Sequence, residues 1–118
     1  MTVLVIDDDA AMRAMLTDVL TRHRMHVIAH ANGADALARL EATPVDVVVV
    51  DKEMPGMSGF EVLAAVRRGR PALPVIIITA FGGRRVADDA LGRGASGYLE
   101  KPFRVGELVH LLHVVSAR

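Results

Sequence analysis

The sequence predicts an α/β protein in which a parallel sheet is covered by helices on both faces. Three short aliphatic runs, rich in β-branched residues, end at the polar residues Asp7, Asp51 and Thr79. Such near-continuous apolar runs are typical of strands that are buried on both faces. Segments with helical spacing lie between the runs, and strand and helix alternate five times. This alternation indicates right-handed crossovers between parallel strands.

The predicted strands differ in how apolar they are. The three central candidates are residues 3–6, 45–50 and 75–78, and they consist almost entirely of Val, Leu and Ile. Residues 26–29 and 97–100 are weaker candidates because polar residues interrupt them. We expect these two weaker strands to lie at the edges of the sheet, where one side of a strand is less covered.

Five helices are predicted from apolar residues that recur at helical spacing. Two of them have a clear start, at Asn32 with Asp35 and at Ser58 with Glu61, where a capping side chain precedes an acid at the third position. The fourth helix is closed by Gly92 and Gly94. The apolar residues that mark the remaining helices are Met12, Met15, Leu16, Val19 and Leu20; Val86, Ala87, Ala90 and Leu91; and Val105, Leu108, Leu111, Leu112 and Val115.

The composition excludes several classes of function. The 118 residues are 52% apolar but only 3% aromatic, so the core of this single predicted domain, residues 1–118, is aliphatic. Fourteen basic and fourteen acidic residues cancel, which argues against nucleic-acid binding. Cysteine is absent, so disulfides, thiolate catalysis and Cys-ligated zinc are excluded. We see neither a signal peptide nor a membrane span, and we therefore expect a cytoplasmic protein.

Polar residues with useful chemistry follow four of the predicted strands. Ligands of parallel sheets bind at the carboxyl ends of the strands, so these residues are expected to converge. They are Asp7, Asp8 and Asp9 after the first strand, Asp51 and Glu53 after the third, Thr79 after the fourth and Lys101 after the fifth. The three aspartates could alternatively form a solvated loop that caps the first helix.

Carboxylates that are held close together repel one another unless a cation is present, and oxygen ligands select Mg²⁺ or a similar hard ion. Mg²⁺ is bound through one or two carboxylates and phosphate oxygens, which leaves another carboxylate free to act as a nucleophile. Phosphoryl transfer also needs positive charge and hydrogen-bond donors around the moving oxygens. The Lys101 ammonium and the Thr79 hydroxyl would supply them.

Four motifs resemble those of the receiver domain of bacterial two-component response regulators. They fall in the order of that family and cover essentially the whole chain. The motifs are Val5-Ile6-Asp7-Asp8, residues 50–59 around Asp51, residues 75–80 ending in Thr79-Ala80, and residues 94–103 with Tyr98-Leu99-Glu100-Lys101-Pro102-Phe103. The resemblance implies a flavodoxin-like (βα)5 three-layer sandwich with a five-stranded parallel sheet in the order 2-1-3-4-5.

The resemblance also implies a role for each site residue. Asp51 would be the phosphoacceptor, and Mg²⁺ (or Mn²⁺) would be held by Asp7, Asp8, Asp51 and the backbone carbonyl of Glu53. Lys101 would pair with the phosphate, and Thr79 would shift to hydrogen-bond it. Tyr98 would then turn inward, and Lys101-Pro102 would be a cis peptide. Phe81 and the Glu53 side chain would tune the lifetime of the phosphate, and Glu53 could bend toward the metal.

The implied partners follow from these roles. They are a sensor histidine kinase or histidine phosphotransfer protein, and a downstream output domain or protein, with a phosphorylation-dependent homodimer as a further option. No nucleic acid and no membrane are expected to contact this chain.

The output surface would be the fourth helix, fifth strand and fifth helix: residues 84–91, Tyr98 and the side around His110 and His113. The protein would not be an enzyme, since it catalyses only its own phosphorylation and dephosphorylation. It could be free-standing or the N-terminal part of a longer transcriptional regulator.

Two other functions use similar residues. A phosphatase of the haloacid-dehalogenase type also places Asp, Thr and Lys around Mg²⁺, but its acidic pair comes last in the chain, whereas here Asp7 and Asp8 come first. Turnover of small phosphate esters would favour it. A flavodoxin-like nucleotide binder needs a phosphate-binding loop after the first strand, where three aspartates stand here. The absence of FMN binding would exclude it.

Overall fold

The computed structural model of the chain describes residues 1–117 and confirms the predicted alternation of strand and helix. The strands are β1 (Thr2–Ile6), β2 (His26–His30), β3 (Val47–Asp51), β4 (Val75–Thr79) and β5 (Gly97–Glu100). The helices are α1 (Ala10–Arg22), α2 (Gly33–Ala42), α3 (Gly59–Gly69), α4 (Arg84–Gly92) and α5 (Val105–Ser116). The two weaker strand candidates form, as β2 and β5.

All strand pairs are parallel, and the order in the sheet is β2-β1-β3-β4-β5, as predicted. The two polar strand candidates therefore do lie at the edges. The register places Asp51 beside Ile78 and Thr79 beside Glu100. Strand β3 begins at Val47, two residues later than the apolar run predicted, and the side chain of the preceding Asp46 accepts a hydrogen bond from the Thr2 amide at 2.6 Å.

The sheet separates two aliphatic cores. Alternate residues of each central strand point to opposite faces, so that Val48 and Val50 pack on one side and Val47 and Val49 on the other. One core is closed by residues of α2, α3 and α4, and the other by residues of α1 and α5. Every residue of β3 is buried. Asp51 therefore stands at the end of a fully buried strand.

The starts of α2 and α3 follow the predicted capping chemistry. The Asp35 amide donates to Asn32 Oδ1 at 2.8 Å, and Ser58 and Glu61 exchange side-chain and backbone hydrogen bonds. Helix α3 begins close beside the end of β3: a Cβ added at Gly59 would lie 2.5 Å from the Asp51 carbonyl oxygen, so this position requires glycine. Among residues 1–117, no helix has both the length and the apolar character of a membrane span.

Candidate functional site

The carboxyl ends of four strands bring the predicted site residues together. Asp7 follows β1, Asp51 ends β3, Thr79 ends β4 and Lys101 follows β5. Asp7, Asp51 and Thr79 retain only 2%, 7% and 0% of their exposure, and they are the buried polar residues of the described part of the chain. Polar side chains are rarely buried without partners, so the contacts of these three define the site.

Lys101 joins the two buried carboxylates. Its Nζ lies 3.1 Å from Asp7 Oδ2 and 3.5 Å from Asp51 Oδ2. Burial alone would lower the pKa of Lys101, but the hydrogen bonds and charges of Asp7 and Asp51 outweigh it and raise the pKa. The side chain is therefore a cation at every physiological pH, fixed beside the Asp51 carboxylate.

The pKa of the Asp51 carboxyl group lies well above its ordinary value. Burial and the neighbouring charge of Asp7 raise its pKa from 3.8 to about 6, although Lys101 and the Glu53 amide act in the opposite direction. One ammonium group thus does not compensate the acidic site fully. An added cation would lower this pKa by favouring the charged carboxylate.

The acidic residues fit such a cation. Asp7, Asp8 and Asp51 each offer a carboxylate oxygen, and these ligand atoms lie within 4.8 Å of one another. Asp8 is exposed whereas the other two are buried, so the group opens to solvent on one side. An all-oxygen set that is open to water is suited to Mg²⁺, which keeps several of its waters.

The three consecutive aspartates do not share one role in the structure. Asp9 caps helix α1, because its Oδ1 accepts hydrogen bonds from the amides of Ala11 and Met12 at 2.9 and 3.3 Å. Asp7 faces Lys101 instead, and its backbone carbonyl accepts a hydrogen bond from Arg13 at 2.8 Å. The capping interpretation is thus correct for Asp9 alone, and α1 itself fixes the backbone of Asp7.

The Glu53 carboxylate contacts Thr79. The Thr79 hydroxyl lies 2.8 and 2.7 Å from the two carboxylate oxygens and also accepts the Phe81 amide at 3.0 Å. Lys52 pairs with the same carboxylate at 3.3 Å. Within residues 1–117, the Glu53 side chain is not part of the acidic group formed by the aspartates. The Thr79 hydroxyl therefore already donates its proton to Glu53, in a hydrogen bond that the sequence pattern did not indicate.

The remaining predicted residues lie around the Thr79 end of the site. Tyr98 is partly buried against the core on the α4 side, and its hydroxyl donates to Glu100 at 3.2 Å. Phe81 is 73% exposed in the loop after β4. The peptide bond between Lys101 and Pro102 is cis, as the resemblance implied.

Comparisons with known proteins identify the class to which this fold and site belong. The family model described as the response regulator receiver domain matches residues 3–113. The chain therefore belongs to the response regulator receiver domain family. The relatives that it resembles include the transcriptional regulatory protein TcrA of Mycobacterium tuberculosis, 39% identical over 98% of this chain and 46% of the relative.

Two further comparisons agree with this assignment. The DNA-binding transcriptional regulator NtrC of Escherichia coli is 38% identical over 93% of this chain and 24% of its own length. The crystal structure of the chemotaxis protein CheY4 of Vibrio cholerae superposes with a TM-score of 0.91 at 32% identity and 97% coverage of both chains. The chain spans less than half of the length of TcrA and NtrC. The match supports the receiver interpretation over the phosphatase and the nucleotide binder.

Proposed function

We propose that this chain is a phosphorylation-dependent switch that accepts a phosphoryl group on Asp51 from a phosphohistidine of a partner kinase or phosphotransfer protein. The observation that carries the proposal is the environment of Asp51. Its carboxylate is buried, lies 3.5 Å from a fixed ammonium group and belongs to an acidic group whose ligand atoms lie within 4.8 Å of one another. Buried carboxylates with raised pKa values beside such partners are typical of reactive sites.

The reaction would proceed by displacement at phosphorus. An Asp51 oxygen attacks, a new O–P bond forms, and the P–N bond to the donor imidazole breaks with its electron pair leaving on nitrogen. Lys101 stays beside the attacked group and stabilises negative charge on the phosphoryl oxygens. Mg²⁺ (or Mn²⁺), held by Asp7, Asp8, Asp51 and the Glu53 carbonyl, would supply further positive charge. The chain catalyses only its own modification and is in this sense not an enzyme.

The switching residues would respond to the new charge. Thr79 carries the one hydroxyl group of β4, and it would leave Glu53 to hydrogen-bond the phosphoryl oxygens. The partly buried Tyr98 would then turn inward, which changes the surface formed by α4, β5 and α5. Such a change is a shift between two populated states rather than a new fold. The partner that reads this surface would be an output domain or protein, or a second copy of the chain.

The test of the proposal is incubation with Mg²⁺ and acetyl phosphate followed by intact mass measurement. The wild-type protein should gain one phosphoryl group, and Asp51→Ala should gain none. Asp46→Ala is a suitable control, because Asp46 lies at the opposite end of β3 and should leave labelling unchanged. Labelling that persists in Asp51→Ala would refute the central role of Asp51.

The lifetime of the phosphorylated state should depend on Phe81. We propose that the ring, exposed in the loop after Thr79, shields the phosphoaspartate from water. Phe81→Ala should therefore release phosphate several-fold faster, which the decay of the phosphorylated mass after removal of the donor would measure. Glu53→Gln serves as a companion in the same assay, since it removes a negative charge near Asp51 while an amide oxygen can still accept from Thr79. An unchanged decay in Phe81→Ala would contradict the shielding role.

A further inference from the structure

Helix α4 begins without a cap of its own. Its N-cap residue is Gly83, which has no side chain and a φ of +126°, and no side-chain hydrogen bond caps the helix from within. The first two residues of the helix are Arg84 and Arg85. Two positive charges at the positive end of a helix dipole are unfavourable, so this end needs a negative partner from elsewhere.

Glu100, the last residue of β5, is that partner. The Gly83 amide donates to Glu100 Oε1 at 2.9 Å, across seventeen residues of sequence. Parallel pairing places Glu100 beside Thr79, directly before the loop that leads into α4. The carboxylate thus accepts from the N-cap amide, as the third-position Glu of a capping box does within other helices.

The same carboxylate oxygen holds the Tyr98 hydroxyl. Tyr98 Oη lies 3.2 Å from Glu100 Oε1, and the two side chains leave the same face of β5 because they are two residues apart. Together with burial, this contact raises the pKa of Tyr98. One oxygen of Glu100 therefore joins the start of α4 to the only tyrosine of the chain.

The loop backbone is packed tightly over this pair. A Cβ added at Gly82 would collide with the Tyr98 hydroxyl and would lie 2.5 Å from the Glu100 carboxyl carbon. The absence of a side chain at Gly82 is what allows the loop to approach the tyrosine and the glutamate together. The loop, Tyr98 and Glu100 are thus held together by close packing as well as by the hydrogen bonds to Glu100.

We propose that Glu100 is a positioning residue which caps α4 from strand β5 and holds Tyr98 in its resting orientation, so that one carboxylate ties the tyrosine to the start of α4. The significance for switching rests on the proposed function. An inward turn of Tyr98 would break its hydrogen bond to Glu100. The Gly83 amide would then be the remaining one of these two donors to Glu100 Oε1. The contact itself exists without phosphorylation and can be tested in the unmodified protein.

Tyr98 provides a direct readout, because the chain contains one tyrosine and no tryptophan. The titration of tyrosine absorbance in the full chain, without metal or phosphodonor, therefore reports on Tyr98 alone. Glu100→Gln and Glu100→Ala should both lower the Tyr98 midpoint toward the ordinary tyrosine value, because each removes the charge. Glu53, the other acid that raises this pKa, is unchanged in both variants.

Hydrogen exchange of the Gly83 amide tests the cap independently near neutral pH. Glu100→Ala should increase the exchange rate of this amide about tenfold. It removes a hydrogen bond to a charged group, and a loss of about 1.4 kcal/mol in stabilisation corresponds to that factor. Glu100→Gln should largely restore protection, since its amide oxygen can still accept. Glu61→Gln is the matched control: it alters the capping acid of α3 and should change neither readout.

Unchanged Tyr98 titration in both Glu100 variants would overturn the contact with the tyrosine, and unchanged Gly83 exchange in Glu100→Ala would overturn the cap. A lowered midpoint together with faster Gly83 exchange would support both. These measurements use unphosphorylated protein, so a failure of Asp51 to accept a phosphoryl group would leave them unaffected. The two proposals can therefore fail separately.

Discussion

Replacing Asp51 by asparagine should stabilise the metal-free protein by about 2 to 3 kcal/mol at pH 7. In the folded state, burial and Asp7 raise the pKa of Asp51 from 3.8 to about 6. The charged carboxylate therefore costs folding free energy at neutral pH, and the isosteric amide removes that cost. Urea unfolding in the presence of a chelator would measure the gain.

The gain in unfolding free energy from Asp51→Asn should depend on pH. Between pH 3.8 and about 6 the folded protein binds more protons at Asp51 than the unfolded chain does, so the stability of the wild type falls as pH rises through this window. The asparagine variant lacks this loss. The advantage of Asp51→Asn should thus be small at pH 4, grow up to about pH 6 and then level off.

Two controls separate this effect from others. Asp88→Asn changes an exposed aspartate of α4 and should alter stability little at either pH. Adding Mg²⁺ should stabilise the wild type more than Asp51→Asn and narrow the difference between them. A gain as large at pH 4 as at pH 7, or no gain at pH 7, would contradict the assignment of Asp51 as an uncompensated buried acid.

Replacing Lys101 by methionine should reduce the rate of phosphorylation by acetyl phosphate about 100-fold or more, the cost of losing one well-placed charge-stabilising group. The Lys101 ammonium lies within 3.5 Å of both Asp7 and Asp51 and is only 17% exposed. Methionine keeps most of the apolar stem but no charge. The initial rate of mass gain at fixed acetyl phosphate and Mg²⁺ would measure the effect.

Metal binding should change in the opposite direction. The ammonium repels a cation at the acidic group, so Lys101→Met should bind Mg²⁺ more tightly although it is phosphorylated more slowly. The matched control is Lys52→Met, because the chain has two lysines and Lys52 pairs with Glu53 rather than with the aspartates. Equal losses of rate in both variants would show that Lys101 has no special position.

The order of the strands and the convergence of the site could be predicted because they depend on the pattern of whole segments. Valine and isoleucine runs identified the central strands, and their polar end residues had to meet at one edge of the sheet. The resemblance then assigned roles that the residue types alone left open. Edge placement of β2 and β5 was likewise visible in their polar residues.

Contacts that depend on single side-chain orientations could not be predicted. Glu53 can reach either the acidic group or Thr79 from the same backbone position, and sequence does not distinguish the two. Glu100 appeared only as part of the residue run around Lys101, since its partners are decided by the path of the loop after Thr79. One signal is present in the sequence: Arg84 and Arg85 stand at the start of α4, where positive charge is unfavourable.

The burial of the strands has a mechanical consequence. Every residue of β3 and β4 is buried, whereas β5 is buried only at Gly97 and lies at the border of the sheet. Densely packed interiors yield little, and sparsely covered borders yield more. Asp51 and Thr79 therefore stand on strands that yield little, whereas Tyr98 and Glu100 stand on a border strand that can move at a lower cost in packing.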